Sequence, residues 1–156
     1  MRRKNFKKRE HKADSIQGRV DIGRFINYLM KDGKKVTAEK IFADSLKHIE
    51  KIAKEDPFKV FDRAIENATP LLEVTSKRIG GANYQIPREV RSERKFFLAT
   101  HWIIEAARNK KGKSMAEKLA EEIIAAAKNE GTAIKKKQDT HRMAEANRAF
   151  ASYLRG

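Results

Sequence analysis

The chain has 156 residues, 40% hydrophobic and 37% charged, with 36 Lys and Arg against 21 Asp and Glu for a formal net charge of +15. That length bounds a single domain with a sizeable core, and so large a basic excess points to a polyanion, nucleic acid before an anionic membrane surface, rather than to a small acidic ligand. With no Cys there is no disulfide framework or thiolate metal site; the longest apolar run, Ile123–Ala127, is too short for a bilayer, and no apolar stretch follows the basic N-terminus to make a secretory signal, so a cytoplasmic protein is expected.

In chain order, residues 1–19 are nearly free of apolar side chains and predict a basic arm, disordered when free in solution. Ile22, Phe25, Ile26, Leu29 and Met30 then form one apolar stripe of a first helix, which Asp32-Gly33 stops. Ile41, Ser45, Leu46, Ile49, Ile52 and Ala53 mark a second, from about Lys35 to Lys54. Asp56-Pro57 supplies a cap and a proline start for a third, with Phe61, Ala64, Ile65 and Ala68 inward and Thr69-Pro70 at its end.

Residues 72–90 change character. Two strand-like segments flank Gly80-Gly81, a two-residue hairpin signal that sets Ile79 opposite Ala82, Lys77 opposite Tyr84 and Thr75 opposite Ile86. Neither face is apolar enough for a core, so the ribbon is expected to project as an arm. A fourth helix follows from about Ser92 to Lys110, with Phe96, Phe97, Trp102, Ile103 and Ala106. A fifth opens on the capping box Ser114/Glu117, carries Ala116, Leu119, Ala120, Ile123 and Ala127, and closes at Gly131. A sixth begins near Thr132 and runs through Met143, Ala146 and Phe150. The expected fold is mainly α: a single domain of six helices with a protruding two-stranded β-hairpin between the third and fourth. Its parts are an N-terminal arm (1–19), helices (20–71), the hairpin arm (72–90), then helices and a C-terminal tail (91–156).

The basic surplus is segregated. Residues 1–20 hold 8 basic and 2 acidic groups, residues 73–113 hold 10 and 4, and residues 132–156 hold 6 and 2, while everything else is close to balanced. Three contact surfaces are expected. On the hairpin, Lys77, Arg78, Asn83, Tyr84 and Gln85 surround glycines that let backbone approach phosphate, and Tyr84 is suited to stack on an unpaired base. Arg91, Arg94 and Lys95 lie in or beside the first turn of the fourth helix, where the helix dipole disfavours cations, and Arg88 at the hairpin base joins them; a phosphate-rich partner accounts for that choice. A run of lysines at a helix start is often only a solvated end, but at about 100° per residue Lys137, His141, Arg148 and Arg155 share a face opposite Met143, Ala146 and Phe150.

Other chemistry is weakly represented. Lys110-Lys111-Gly112-Lys113-Ser114 contains the Gly-Lys-Ser end of a phosphate-binding loop, but Ala107 stands where the motif needs glycine and a helix precedes it, so a helix-to-helix loop with three partner-facing lysines is the better reading. His11, His48, His101 and His141 show no ligand spacing; His101 beside Trp102 reads as core or boundary, and His48 and His141 as helix surface. No nucleophile context or cofactor loop is present, so no enzyme activity, cofactor, metal or small-molecule substrate is expected.

Two stretches carry a family resemblance. Glu73–Pro87 resembles the hairpin signature of the small-subunit ribosomal protein seven family, and His141–Phe150 its C-terminal helix motif; Asp32–Lys35 and Ala133–Lys137 resemble the family at corresponding places. The resemblance spans the chain in its bacterial-type length. Lys77 and Ile79 replace the more usual Arg and Val, and Ser152–Gly156 differs from the usual His-Tyr-Arg-Trp close.

What the resemblance implies is a structural, non-enzymatic protein of the cytoplasmic ribosome. It would bind small-subunit ribosomal RNA directly, nucleate assembly of the head (the 3′ major domain), and sit at the subunit interface near the decoding centre. Carried onto this chain, it assigns Arg2, Arg3, Lys4, Lys7, Lys8, Arg9, Lys12, Lys34, Lys35, Lys110, Lys111, Lys113, Arg142 and Arg148 to ribosomal RNA, with Arg88, Arg91, Arg94 and Lys95 on RNA near the ribbon's base; Lys135, Lys136 and Lys137 belong to the same surface. Lys77, Arg78, Gly80, Gly81, Asn83 and Tyr84 would lie beside the exit-site tRNA and messenger RNA. Protein partners would be small-subunit ribosomal proteins nine and eleven, with no membrane contact. From the residues alone, two rivals stand: an architectural double-stranded DNA-binding protein using a β-arm, whose tip usually carries an apolar wedge where this chain has Gly80-Gly81, and an RNA-modifying enzyme, which needs an acid–base pair or cofactor pocket not found here.

Overall fold

The computed structural model describes residue 13 and residues 17–155, and of residues 153–155 only the backbone. The basic residues of the arm, Arg2 through Lys12, lie outside the described residues. By internal contacts the chain divides into two compact units, residues up to Ala43 and residues from Asp44 onward.

In the first unit, α1 (Val20–Leu29) buries Ile22, Phe25, Ile26 and Leu29 of the expected stripe, while Met30 stands half-buried at the C-cap in extended backbone. Its first turn holds Asp21, whose carboxyl is lowered mainly by the hydrogen bond from the Arg19 guanidinium, Nε standing 3.1 Å away. Helix α2 (Lys35–Ala53) starts in this unit, and its Phe42 meets Phe25 with ring centroids 5.4 Å apart. Phe42 is fully buried, while Ile52 is 59% exposed. Phe42 lies on one helix line with Ser45 and Ile49, both buried, and Ile52 falls in the last turn of α2.

The second unit is built on α3 (Pro57–Ala68), α4 (Ser92–Asn109), α5 (Met115–Ala127) and α6 (Gly131–Ala146). Asp56 accepts the Phe58 N–H at 3.0 Å to cap α3, and Ser114 caps α5, as the sequence signals require. Helices α3, α4 and α5 pack on one another through Phe61, Ala64, Ala99, Ile103, Leu119, Ala120 and Ile123, all with no exposed surface. The many alanines let helix axes approach closely, and each buried Leu, Ile or Phe stabilises by roughly 1.5–3 kcal/mol.

Strands β1 (Leu72–Ile79) and β2 (Ala82–Glu89) pair in the expected register, from Ile79↔Ala82 down to Leu72↔Glu89. Gly80 and Gly81 take φ of 57° and 90°, the left-handed pair that a tight two-residue turn requires and a side chain would strain. At the root, the Val90 N–H donates to the Leu71 carbonyl at 3.0 Å.

Two expectations about the C-terminal region are corrected. Helix α6 ends at Ala146 instead of continuing through Phe150: the Asn147 side chain turns back and donates to the Met143 carbonyl at 2.8 Å, and a 3-10 helix follows over Arg148–Arg155. A 3-10 helix has three residues per turn, so the single α-helical face drawn through Lys137, His141, Arg148 and Arg155 does not exist. Nor do Met143 and Ala146 form the inner face, since Met143 is 53% exposed while Ala133, Ile134 and Ala144 are buried. The hairpin, moreover, has a core contact. Helix α6 packs on both strands, the 3-10 helix packs on β2, and Ile86 is fully buried.

Candidate nucleic-acid interface

The hairpin presents two unlike faces. Ser76, Arg78, Asn83 and Gln85 are exposed together, while on the other face Ile86 and Glu73 are buried and Thr75, Lys77 and Tyr84 are half-buried. The Tyr84 ring lies against Phe150, centroids 5.2 Å apart and planes tilted by 59°. Expected to be open for base stacking, Tyr84 is instead held by an aromatic neighbour, and Arg78 and Asn83 carry the open polar surface.

The root of the hairpin gathers Arg88, Arg91 and Arg94 around an acid that the sequence reading missed. Glu73, with a side chain only 10% exposed, accepts from Arg88 through Nε at 2.7 Å and Nη2 at 2.5 Å, and from Arg94 through Nε at 2.6 Å. Burial pushes the Glu73 carboxyl up, but the bonds from Arg94 and Arg88 outweigh it and leave the group below its ordinary value. The cationic start of α4 is thus partly neutralised from β1, which offsets part of the cost of placing cations at a helix start. The signal was present in the register: two further pairs from Thr75↔Ile86 set Glu73 opposite Arg88. Arg91 is exposed, and its carbonyl accepts the Arg94 and Lys95 N–H groups at 2.9 and 3.0 Å.

Between α4 and α5, Lys110, Lys111 and Lys113 share a helix-to-helix loop but face different things. Lys110 Nζ stands 3.0 Å from Glu122, a carboxylate with almost no exposure, and Lys113 bonds Glu121. That bond raises the Lys113 amine and lowers the Glu121 carboxyl. Lys111 is exposed. Glu122 also accepts the Ala133 N–H at 3.0 Å, capping the start of α6 from inside the protein. It too was missed, although its place between Leu119 and Ala126 on the apolar stripe of α5 marked it as inward.

Along α6, Lys135 and Lys136 are exposed, the latter paired with Glu105 at 2.6 Å. Lys137 and His141 turn inward. Lys137 donates to the Asn67 carbonyl at 2.6 Å and is lowered by burial, and His141 accepts the Leu71 N–H. His101, expected at the core or its boundary, is exposed on α4 against Phe97. Arg142 and Arg148 are about four-fifths exposed, paired with Asp139 and Glu145 on neighbouring turns. Lys34 and Lys35 are exposed at the start of α2, Lys35 standing 3.9 Å from Glu39. Exposed pairs of this kind are worth about 0–1 kcal/mol, so a phosphate displaces the carboxylate readily.

Among the described residues, no three His, Asp or Glu side chains gather in a way that holds a metal ion, and no helix is long and apolar enough to cross a membrane. The second unit therefore offers separated cations on its helices and one polar ribbon, and the first adds Lys34 and Lys35 at the start of α2. These surfaces are suited to binding phosphates and single-stranded bases.

The chain matches the family model described as ribosomal protein S7p/S5e over residues 1–148. It is 56% identical to the small ribosomal subunit protein uS7 of Thermotoga maritima, over 98% of this chain and 99% of that protein. It is 52% identical to the protein of the same name from Elusimicrobium minutum over the same shares, and 47% identical to that from Polynucleobacter asymbioticus over 97% of each.

Proposed function

From the ribosomal protein S7p/S5e family, to which this chain belongs, we propose that it binds small-subunit ribosomal RNA directly and nucleates assembly of the head, the 3′ major domain. The family is one of structural, non-enzymatic components of the small subunit, and the chain is a constituent of the cytoplasmic ribosome in that sense. The observation that carries the RNA reading is the gathering of Arg88, Arg91 and Arg94 at the hairpin root beside the open Arg78–Asn83 face.

Phosphate contacts through Lys34, Lys35, Lys111, Lys135, Lys136, Arg142, Arg148 and the basic arm supply most of the affinity, and within the second unit the loop that carries Lys111 and the helix that carries Lys135, Lys136 and Arg142 present several phosphate contacts at once. Specificity comes from RNA shape and unpaired bases, because side chains cannot enter the deep groove of A-form RNA. The hairpin's Lys77, Arg78 and Asn83 lie beside the exit-site tRNA and messenger RNA, near the decoding centre, and small-subunit ribosomal proteins nine and eleven are the protein neighbours.

The test is affinity across a salt titration for a 3′-major-domain ribosomal RNA transcript and for random duplex DNA of equal length. Log affinity is expected to fall by about 0.7–0.9 per phosphate contact for each decade of salt. RNA binding that persists where DNA is released supports the proposal. Equal affinities that collapse together refute it and favour an architectural DNA-binding protein.

A further inference from the structure

Glu73 is costly where it stands. A carboxylate taken out of water loses several kcal/mol of hydration, and replacing such a cluster by well-packed apolar side chains often leaves stability unchanged or improved. Stability alone does not account for one nearly buried acid joined to two arginines drawn from different elements, β2 and α4. Geometry does. Glu73 Oε1 takes Nε and Nη2 of Arg88, and Oε2 takes Nε of Arg94, so the carboxylate fixes one edge of each guanidinium. The rest of each side chain stays open, 44% exposed for Arg88 and 48% for Arg94. Both line a depression with the exposed Arg91, and Glu89 lines it as well. Three arginines against two acids leave that depression cationic.

Resting on the RNA-binding reading above, we infer that Glu73 is a positioning residue for RNA recognition: it presets the Arg88 and Arg94 guanidinium groups so that, with Arg91, they grip a backbone phosphate of folded RNA at the root of the hairpin. A guanidinium held by its Nε edge keeps its remaining N–H groups aimed and loses little freedom on meeting a phosphate; an ammonium cannot hold a carboxylate and a phosphate in that fixed fork. The acid contributes by direction, although its charge opposes the ligand.

That opposition makes the test one of sign. Glu73→Gln removes a negative charge, and Coulomb attraction alone would tighten every RNA by up to about threefold. Positioning requires the reverse for the folded target, a loss of about tenfold for the 3′-major-domain transcript, with random duplex RNA bound as before or slightly better. Affinities for both RNAs would be measured on the full chain by filter binding at one salt concentration, with circular dichroism on the same samples. Arg88→Lys and Arg94→Lys keep the net charge and should show the same selective loss, so they decide the matter if Glu73→Gln does not fold. Undiminished transcript binding by Glu73→Gln, or by both lysine variants where that one does not fold, overturns the inference and leaves the RNA reading intact. A wild-type chain with no preference for the transcript would sink both.

Discussion

The imidazole Nε2 of His141 accepts the backbone N–H of Leu71 at 3.1 Å, joining α6 to the residue just before β1 across 70 positions of sequence. Nε2 can accept only if the ring is neutral with its proton on Nδ1. Burial, and then the nearby Lys137 charge, lower the His141 pKa from its ordinary 6.5. The folded chain therefore binds fewer protons than the unfolded one as pH falls past 6.5. The contribution of His141 is complete above that value and is lost as pH drops through the lower folded pKa. His141→Ala is expected to cost about 1 kcal/mol near neutral pH, and the gap from wild type should close on acidification. Urea unfolding at both ends of that range checks this; a gap that widens in acid contradicts it.

A second relationship is steric. Gly131 sits at φ +91°, and a Cβ there would lie 2.9 Å from Oε1 of Glu122 and 3.1 Å from the Ala125 Cβ. That oxygen already accepts the Ala133 N–H, so it cannot yield without uncapping α6. Gly131→Ala is expected to destabilise by about 2 kcal/mol or more, from backbone strain and loss of the cap together. Glu122→Gln keeps an acceptor for Ala133, whereas Glu122→Ala leaves that N–H without an acceptor and the Lys110 amine with only the more distant Glu121, 3.8 Å away. The alanine variant should be the less stable of the two by urea unfolding.

What was legible in the chain was local. Asp56-Pro57, Ser114 with Glu117 and Gly80-Gly81 each fix a boundary through bonds made within a few residues, and the helix starts and hairpin register agree with them. The end of α6 was not legible, because Asn147 closes it with its own side chain and the helix type then changes, so a 3.6-residue period carried past Ala146 misplaces Arg148. The polar inner groups were hidden for a different reason. Lys137 and His141 serve the Asn67 carbonyl and the Leu71 N–H, groups at the end of α3 and just before β1 that are distant in sequence, and a polar residue on a helix reads as solvent-facing until its partner is known. Half of the Glu73 cluster followed from strand pairing; Arg94 arrives only through packing of α4.

The Tyr84–Phe150 contact ties the hairpin's outer half to the C-terminal 3-10 helix. Ring pairs at this separation contribute about 0.5–1.5 kcal/mol beyond the area they bury. A double-mutant cycle on Tyr84→Leu and Phe150→Leu, read by urea unfolding, should give a coupling in that range. Additive losses would mean the rings are neighbours without mutual stabilisation.

On the hairpin, replacing both the half-buried Lys77 and the exposed Arg78 by Ala should lower exit-site tRNA occupancy of assembled ribosomes, measured by chemical footprinting, while incorporation into small subunits stays within about twofold, since two contacts out of many carry little of the assembly affinity. Failed incorporation with normal tRNA occupancy would reverse that division of roles.

The lysine loop separates folding from binding most cleanly. Lys110 answers the buried Glu122, so Lys110→Ala leaves that carboxylate short of its counter-charge and should cost about 2–3 kcal/mol of stability. Lys111 is exposed one residue on, and Lys111→Ala should leave stability within about 0.5 kcal/mol. RNA binding should respond in the opposite order. Losing Lys111 removes one phosphate contact and lowers the slope of log affinity against log salt by about 0.7–0.9, whereas losing Lys110 should leave the slope unchanged once the folded fraction is accounted for. Urea unfolding and a salt titration on the two variants measure both quantities. A slope that falls for Lys110→Ala and holds for Lys111→Ala would mean that RNA binding draws Lys110 away from Glu122, and the buried pair would then belong to the free protein alone.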